Sequence, residues 1–381
     1  MRVLHITSGL GAGGAERSLL QLANAASESA AGHVMQVASL TAASALASQL
    51  HQPALICDLR AEKLAALNSL LAHTRSFRPD VIQGWMYHGN LVASYVGWKT
   101  GVPVIWSIRH SLEQPEKETK VLRWVIGLGR LGCFQPRRVV YNSYSGWRTH
   151  AQSGYGRKPS MIIPNGVDIK KFSTTTKSGS DSGSVAAPGA VPVVGCVARF
   201  HPMKGLATLL AAHAAMQADQ PCELMLVGEG MDAENAELAE LIARVGCGEK
   251  VTPLGLVANM PELYPQFSAV VLPSLYGEGT PNVLLEAMAS GVPVVASRVG
   301  DAARCVGKDE WLVAPGDVAQ LGATLQRLLA LSAEERAALV TDNRRHVSDN
   351  FSLARCHDSY MALYRELHET YPVTQVTGAA S

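Results

Sequence analysis

Short, nearly uninterrupted apolar runs alternate along this chain with longer stretches in which apolar residues recur every three or four positions. The short runs have the length of buried strands, and the longer stretches have the period of amphipathic helices. This rhythm predicts strands near 2–7, 33–39, 54–58, 80–83, 103–108, 138–141 and 161–163, with helices near 15–28, 61–75, 89–99, 117–132 and 143–152. After a break it resumes, with strands near 192–197, 222–227, 250–254, 269–272, 292–296 and 310–313, and helices near 204–217, 232–245, 259–266, 281–290, 317–330, 332–348 and 352–370. Strict alternation of the two patterns argues for an α/β fold built from parallel sheets with helical crossovers. The break is the small, polar run Ser173-Thr174-Thr175-Thr176-Lys177-Ser178-Gly179-Ser180-Asp181-Ser182-Gly183-Ser184, which has the composition of a flexible linker. The expected division is a first Rossmann-like domain over 1–172, a linker over 173–190, a second domain over 191–350, and a last helix and loose tail over 351–381. Two doubly wound domains facing one another would form a ligand cleft at their strand C-termini.

At 381 residues the chain exceeds one ordinary core, so two domains are the default. No run of 18 uncharged apolar residues is present, so no membrane-spanning helix is expected. Met1-Arg2-Val3-Leu4-His5-Ile6-Thr7 is too short and polar for a signal peptide and reads as a first strand. Seven cysteines without a CxxC pair argue for a reducing, cytoplasmic setting and against a zinc site or disulfide framework. The net charge of +1 hides an asymmetry: residues 1–172 hold 19 Lys and Arg against 9 Asp and Glu, and the remainder 14 against 23. A basic first half suits an anionic partner. No zinc-finger, RNP-like or helix-turn-helix pattern supports nucleic acid, so an anionic membrane surface or phosphorylated lipid is the more economical expectation. The mixed basic and apolar stretch Lys117, Lys120, Arg123, Trp124, Val125, Ile126, Leu128, Arg130, Leu131, Arg137 and Arg138 fits such a surface, and equally a helix half buried in its domain.

The chemistry concentrates in Glu278-Gly279-Thr280-Pro281-Asn282-Val283-Leu284-Leu285-Glu286, which runs through Ala287-Met288-Ala289-Ser290-Gly291 into the apolar run Val292 to Ala296. A Gly-rich loop leads into a helix with Pro281 in its first turn, and the two carboxylates stand eight positions apart. A helix N-terminus receives phosphates and carboxylates accept hydrogen bonds from hydroxyls, so the segment suits a phosphate-bearing, hydroxyl-rich ligand. It resembles the Glu-x7-Glu signature of retaining glycosyltransferases of family 4, which have the GT-B fold. The resemblance implies that Glu278 lies beside the donor sugar as a catalytic group, that Glu286 binds the nucleotide ribose, and that Thr280, Pro281, Asn282 and Val283 line the donor. It also implies that the last helix crosses back to the first domain.

Further segments carry the same resemblance. Gly13 and Gly14, after the first strand, are similar to the family's Gly-Gly-Ala-Glu loop and would abut the donor diphosphate. Glu16 and Arg17 follow as an exposed first helical turn. Arg199 and Lys204 in Gly195-Cys196-Val197-Ala198-Arg199-Phe200-His201-Pro202-Met203-Lys204-Gly205 resemble the family's diphosphate-binding Arg and Lys, with Ala198 in place of the usual Gly. Gly228, in Leu226-Val227-Gly228-Glu229-Gly230, matches a turn near the nucleotide, and Val257 a loop whose backbone meets the base. Family members place a His near the sugar after the strand that begins Pro103-Val104. Here strict counting gives Arg109 and the next position gives His110, and a pleated strand turns only one of them to the cleft. Trp85, Tyr87, His88 and Asn90 sit at another strand end and suit a sugar acceptor, or equally packing beneath a loop. Pro164-Asn165-Gly166-Val167-Asp168 reads as a structural turn at the hinge.

The expected activity is transfer of a hexose from a nucleoside-diphosphate sugar, UDP-linked before GDP-linked, to a hydroxyl of a lipid-linked saccharide in cell-surface polysaccharide synthesis. No Asp-x-Asp of the kind that holds a catalytic metal stands at a strand end, so no cofactor and metal-independent chemistry are expected. The protein would be cytoplasmic or peripheral on the inner face of the cytoplasmic membrane. A nucleotide-sugar epimerase of the same fold and a non-catalytic partner subunit are the alternatives.

Overall fold

The computed structural model describes residues 1–372, except 12, 29–31, 43–45, 118, 133–135, 157–158, 174–190 and 247. The expected linker, Ser173 apart, and the tail over 373–381 therefore lie outside the described residues, as do Cys133 and Cys247. The chain divides into two units: residues 1–166 with 353–381, and residues 167–352.

The first unit is built on a parallel sheet of seven strands: β1 (Arg2–Thr7), β2 (Val34–Ser39), β3 (Leu55–Ile56), β4 (Val81–Trp85), β5 (Val104–Ile108), β6 (Arg138–Tyr141) and β7 (Ser160–Ile162). Their order is β3-β2-β1-β4-β5-β6-β7. Every residue of β4 and β5 is buried, as expected of central strands with helices on both faces. Successive residues of β1 serve opposite faces: Leu4 and Ile6 join one apolar cluster with Trp106 and Tyr155, and Val3 joins another with Leu19, Ile105 and Val140. The second cluster is completed by Tyr360, Leu363, Tyr364 and Leu367 of the last helix, Leu353–Thr370. These positions recur at helical spacing. The helix is fastened by Tyr364 Oη, which donates to Gln83 Oε1, and by the Arg138–Glu366 ion pair.

The second unit carries β8 (Val193–Val197), β9 (Glu223–Val227), β10 (Val251–Gly255), β11 (Ala269–Leu272), β12 (Val294–Ser297) and β13 (Leu312–Val313), all parallel, in the order β10-β9-β8-β11-β12-β13. The Val-rich runs of β11 and β12 are wholly buried, which the unbroken apolar pattern required. Residues 167–172 belong to this unit: Phe172 is buried edge-on to Tyr264, and Val167 N–H donates to Phe351 O at 2.8 Å. In both sheets the winding direction reverses beside the first strand, between β1 and β4 and between β8 and β11. Loops at the C-terminal ends of these strands are where open α/β sheets bind ligands.

Candidate functional site

In the second unit the loops after β8 and β11 are clamped together by backbone contacts. Leu275 N–H donates to Met203 O at 2.7 Å. Gly205 adopts a φ of 63°, and a Cβ there would stand 2.0 Å from Pro273 O, so only glycine permits this approach. His201 opens the short helix Pro202–Lys204 by accepting the Met203 N–H on Nδ1. The clamp brings Lys204 Nζ to 2.5 Å from Glu278 Oε1, with only 17% and 9% of the two side chains exposed. Ser274 Oγ donates to the same Oε1 at 2.5 Å. From behind, Gly300 packs on the main chain of Glu278, where a Cβ would lie 2.0 Å from Glu278 O. The thiols beneath the loops are kept protonated: burial pushes Cys196 up to about 12, with Lys204 opposing, and pushes Cys305 higher still.

The helix after this loop is Asn282–Ala289, with Pro281 at its N-cap and Thr280 and Pro281 buried. Pro281 therefore stands one position before the expected first turn, in an extended conformation (φ −75°, ψ 107°). Asn282 and Val283 form the half-buried first turn. Glu286 follows on the second turn, buried, and its Oε2 accepts the Tyr264 phenol at 2.8 Å. Arg199 is exposed just past β8, its Nη2 3.7 Å from Met203 Sδ. Gly228 (φ 136°) zips the ends of three strands: its N–H donates to Gly255 O at 2.8 Å, while Ala198 N–H donates to Val227 O at 2.8 Å. Val257, beyond β10, packs half buried on the core. The structure thus brings Lys204 and Glu278 into direct contact, places Arg199 on the same loop as Lys204, and seats Glu286 on the helix that Glu278 precedes. Ser274 and Tyr264, which hold the two carboxylates, were not singled out in the sequence. Ser274 shares the strand-end loop with Glu278 and was open to detection; Tyr264 lies 22 residues from Glu286 and gave no local signal.

In the first unit Arg109 and His110, after β5, take different surroundings. Arg109 donates from Nη1 to Asn165 Oδ1 and from Nη2 to Tyr360 Oη at 2.8 Å, with its guanidinium carbon 4.5 Å from the centre of the Trp85 ring. It ties β5 and the Asn165 turn to the last helix, and these internal partners set it apart from the role of a sugar ligand. His110 Nδ1 lies 3.3 Å from Tyr87 Oη, which in turn lies 2.9 Å from Nε2 of the buried His150. Trp85 and Asn90, expected as acceptor contacts, are internal. Trp85 is 1% exposed, donates from Nε1 to His5 at 3.1 Å and has Tyr360 and Arg109 against its ring. Asn90 is buried with its amide on the backbone of Ser107. Both belong to or follow β4, a central strand, which explains their burial. Tyr87 is buried as well, while His88 is exposed. Met86, where β4 passes into the next helix without a loop, has the uncommon non-glycine φ of 58°. Gly13 and Gly14 are exposed at the start of the helix Gly14–Glu28, and the Glu16 carboxylate folds over Gly13, 2.3 Å from where a Cβ would stand.

Comparison with known proteins bears on the family and the fold. A family model described as Glycosyltransferase Family 4 matches residues 12–171, and one described as Glycosyl transferases group 1 matches residues 191–331. The chain is 29% identical over 286 residues to the MMP alpha-(1->4)-mannosyltransferase of Mycolicibacterium hassiacum, covering 70% of this chain and 66% of the relative. It is 29% identical over 345 residues to the D-inositol 3-phosphate glycosyltransferase of Segniliparus rotundus, covering 81% of this chain and 72% of the relative. Among solved structures, Anabaena HepE in complex with UDP-glucose superposes with a TM-score of 0.79 at 22% identity, covering 96% of this chain and all (100%) of that one. Sucrose-phosphate synthase from Thermosynechococcus elongatus gives 0.74 at 22% identity, covering 97% and 100%. These likenesses establish the GT-B fold.

Proposed function

Because the chain belongs to glycosyltransferase family 4 and is a transferase, we propose that it moves a hexose from a nucleoside-diphosphate sugar to a hydroxyl of a lipid-linked saccharide, with retention of configuration. The observation that carries this reading is the Lys204–Glu278 pair, held 2.5 Å apart where the strand order reverses, on the loop that opens the helix Asn282–Ala289. An ammonium, a carboxylate and a helix N-terminus at one strand end suit a ligand that is anionic at one point and hydroxyl-rich beside it. As the bond from the anomeric carbon to the diphosphate breaks, negative charge builds on the departing oxygen. Arg199, Lys204 and the first amides of that helix stabilise it, which is electrostatic catalysis without a protein nucleophile. The reading gives Glu278 the donor sugar and Glu286 the ribose, and in the first unit assigns His110 to the sugar and the Gly13 and Gly14 amides to the diphosphate.

A UDP-sugar is favoured over a GDP-sugar, with support from the UDP-glucose complex of HepE. The cationic groups leave no step that needs a metal, so transfer should persist in excess EDTA. The basic first half supports an acceptor carried at an anionic membrane surface; among the described residues no helix is long and apolar enough to cross a membrane. Thermal unfolding with UDP, GDP, ADP and CMP tests the reading. A nucleotide at about a hundredfold its Kd adds roughly 2.7 kcal/mol, a readily measured shift. Stabilisation by UDP supports the donor assignment, and GDP alone would redirect it. No response to any of the four would remove the donor site, and turnover of a nucleotide sugar without acceptor would favour an epimerase.

A further inference from the structure

The helix Lys120–Gly132 of the first unit presents an outer face that no described residue covers. Val121, Trp124, Leu128 and Leu131 are 68%, 77%, 53% and 77% exposed. Their spacing of three, four and three places all four on one side of the helix. The opposite side is well anchored. Ile126 is buried, Leu122 and Val125 pack on the core, and Ile126 O accepts the Tyr155 phenol at 2.8 Å. Gly129 makes that approach possible, since a Cβ there would stand 2.3 Å from Tyr155 Oη. The exposed stripe is therefore a fixed feature of a packed helix.

The charge beside the stripe has one sign. Lys120, Arg123 and Arg130 lie on the helix, and residues 120–132 include no Asp or Glu. A groove of about 720 Å³ runs along it, lined by Leu112, Ile126, Lys120, Arg123, Arg130 and Ser153 among others, with no carboxylate among the described residues of its wall. The unit as a whole holds 19 Lys and Arg against 11 Asp and Glu, whereas the second unit holds 14 against 21.

We propose that this helix is the membrane-docking face of the protein, its apolar stripe entering the headgroup boundary of a bilayer and its three cations meeting anionic lipid phosphates. Apolar residues one turn apart with cations beside them form the pattern of a helix lying in the plane of a membrane surface. A second copy of the chain suits the face poorly, because a two-fold contact would set the three cations against their own counterparts. Nucleic acid suits it no better, because four large apolar side chains offer phosphate no partner. The proposal rests on the lipid-borne acceptor of the preceding section for its purpose and on the helix alone for its geometry.

The test is flotation of the full-length protein with vesicles of phosphatidylcholine alone or mixed with phosphatidylglycerol, free of donor and acceptor. The wild type should float with the anionic vesicles, weakly with the neutral ones, and less as salt rises. Changing Lys120, Arg123 and Arg130 together to Gln should lower partitioning about a hundredfold, at roughly 1 kcal/mol per cation. The pair Trp124→Glu and Leu128→Glu should abolish it without moving the unfolding midpoint, since both side chains are solvent-exposed. Absence of flotation by the wild type, or flotation untouched by both variants, would overturn the proposal. So would a stripe variant that turned a dimer into a monomer while vesicle binding persisted, which would assign the face to a second copy. The vesicles contain nothing that reacts, so a negative result leaves the transferase reading standing, and failed nucleotide binding leaves this test unaffected.

Discussion

Lys204 Nζ and Glu278 Oε1 stand 2.5 Å apart although 74 residues separate them, and Ser274 Oγ shares the same carboxylate oxygen. The pair is mostly shielded from water, so either charge left alone is costly. Lys204→Met should destabilise the second unit by about 3–5 kcal/mol, the range for breaking a buried pair. Glu278→Gln keeps the shape but leaves the Lys204 ammonium without its counter-charge, so it should lower kcat by about a hundredfold and also cost stability of the same order as Lys204→Met. A double-mutant cycle on the unfolding free energy should return a coupling of at least about 1 kcal/mol. Additive effects would mean that the contact is incidental, and wild-type turnover by Glu278→Gln would remove its catalytic assignment.

Glu286 depends on a different neighbour. Tyr264 is fully buried between Phe172 and Phe267 and donates its phenol to Glu286 Oε2 at 2.8 Å. Tyr264→Phe deletes that donor and leaves the ring packing in place. It should cost about 1–2 kcal/mol of stability. If Glu286 holds the ribose, the variant should raise the donor KM while kcat changes little. An unchanged KM with a lower kcat would move Glu286 from binding to chemistry.

Two glycines with nearly the same backbone separate conformational strain from close approach. A Cβ on Gly205 (φ 63°) would meet Pro273 O at 2.0 Å, whereas one on Gly246 (φ 73°) would meet no described residue within 4 Å beyond its chain neighbours. Gly246→Ala should cost only the left-handed penalty, about 1 kcal/mol. Gly205→Ala must in addition part the loops that bring Lys204 to Glu278. It should therefore lose stability by a further kcal/mol or more, roughly, and weaken nucleotide binding. Equal losses in calorimetry would show that the clamp is looser than its distances indicate.

The fold was legible because buried parallel strands such as Ala269–Leu272 and Val294–Ser297 leave an unbroken apolar signature that tertiary packing does not overrule. The short edge strand Leu55–Ile56 was overextended as 54–58, since an edge pairs on one side only and ends wherever its neighbour does. The placement of Arg199, Lys204, Glu278 and Glu286 after strand ends was legible for a local reason: glycines, cations and carboxylates stand together after predicted strands. Side-chain direction was not. Trp85 and Asn90 looked like sugar contacts until the sheet order enclosed β4 between β1 and β5, and Arg109 found Tyr360, 251 residues later in the chain. Such contacts depend on which elements become neighbours, and nothing within a window of sequence encodes that.

Two buried histidines make the first unit sensitive to acid. Burial lowers His5 to about 3 and His150 to about 4, against 6.5 for an unperturbed ring. Above pH 6.5 both are neutral in the folded and unfolded chains and their contribution is intact. As pH falls below 6.5 the unfolded chain takes up two protons that the folded unit refuses. Stability should therefore drop with a slope approaching about 2.7 kcal/mol per pH unit, until the folded rings themselves titrate. Urea unfolding at pH 7.5, 6.0 and 5.0 measures this, and His150→Gln should remove about half of the slope. A flat profile between pH 7 and 5 would mean that the rings are open to water.

The same His150 fixes the proton positions leading to His110. Its Nδ1 lies 2.7 Å from Gly146 O, which can only accept, so Nδ1 carries the proton and Nε2 is left as an acceptor. Tyr87 Oη, 2.9 Å from that Nε2, must then donate to it. The phenol oxygen is left to accept from His110 Nδ1–H at 3.3 Å. A neutral His110 is thereby held with its proton on Nδ1 and its lone pair on Nε2, the form able to accept a hydroxyl proton. Tyr87→Phe breaks the chain at its centre and frees the ring to change tautomer. In ¹⁵N spectra the His110 signals should move from the Nδ1–H pattern towards a mixture. If His110 orients the sugar through Nε2, kcat should fall about tenfold, within the range for one misaligned hydrogen bond, while nucleotide affinity holds. Unchanged ¹⁵N shifts would show that Tyr87 does not set the tautomer. A changed tautomer with unchanged kcat would place His110 outside the reaction.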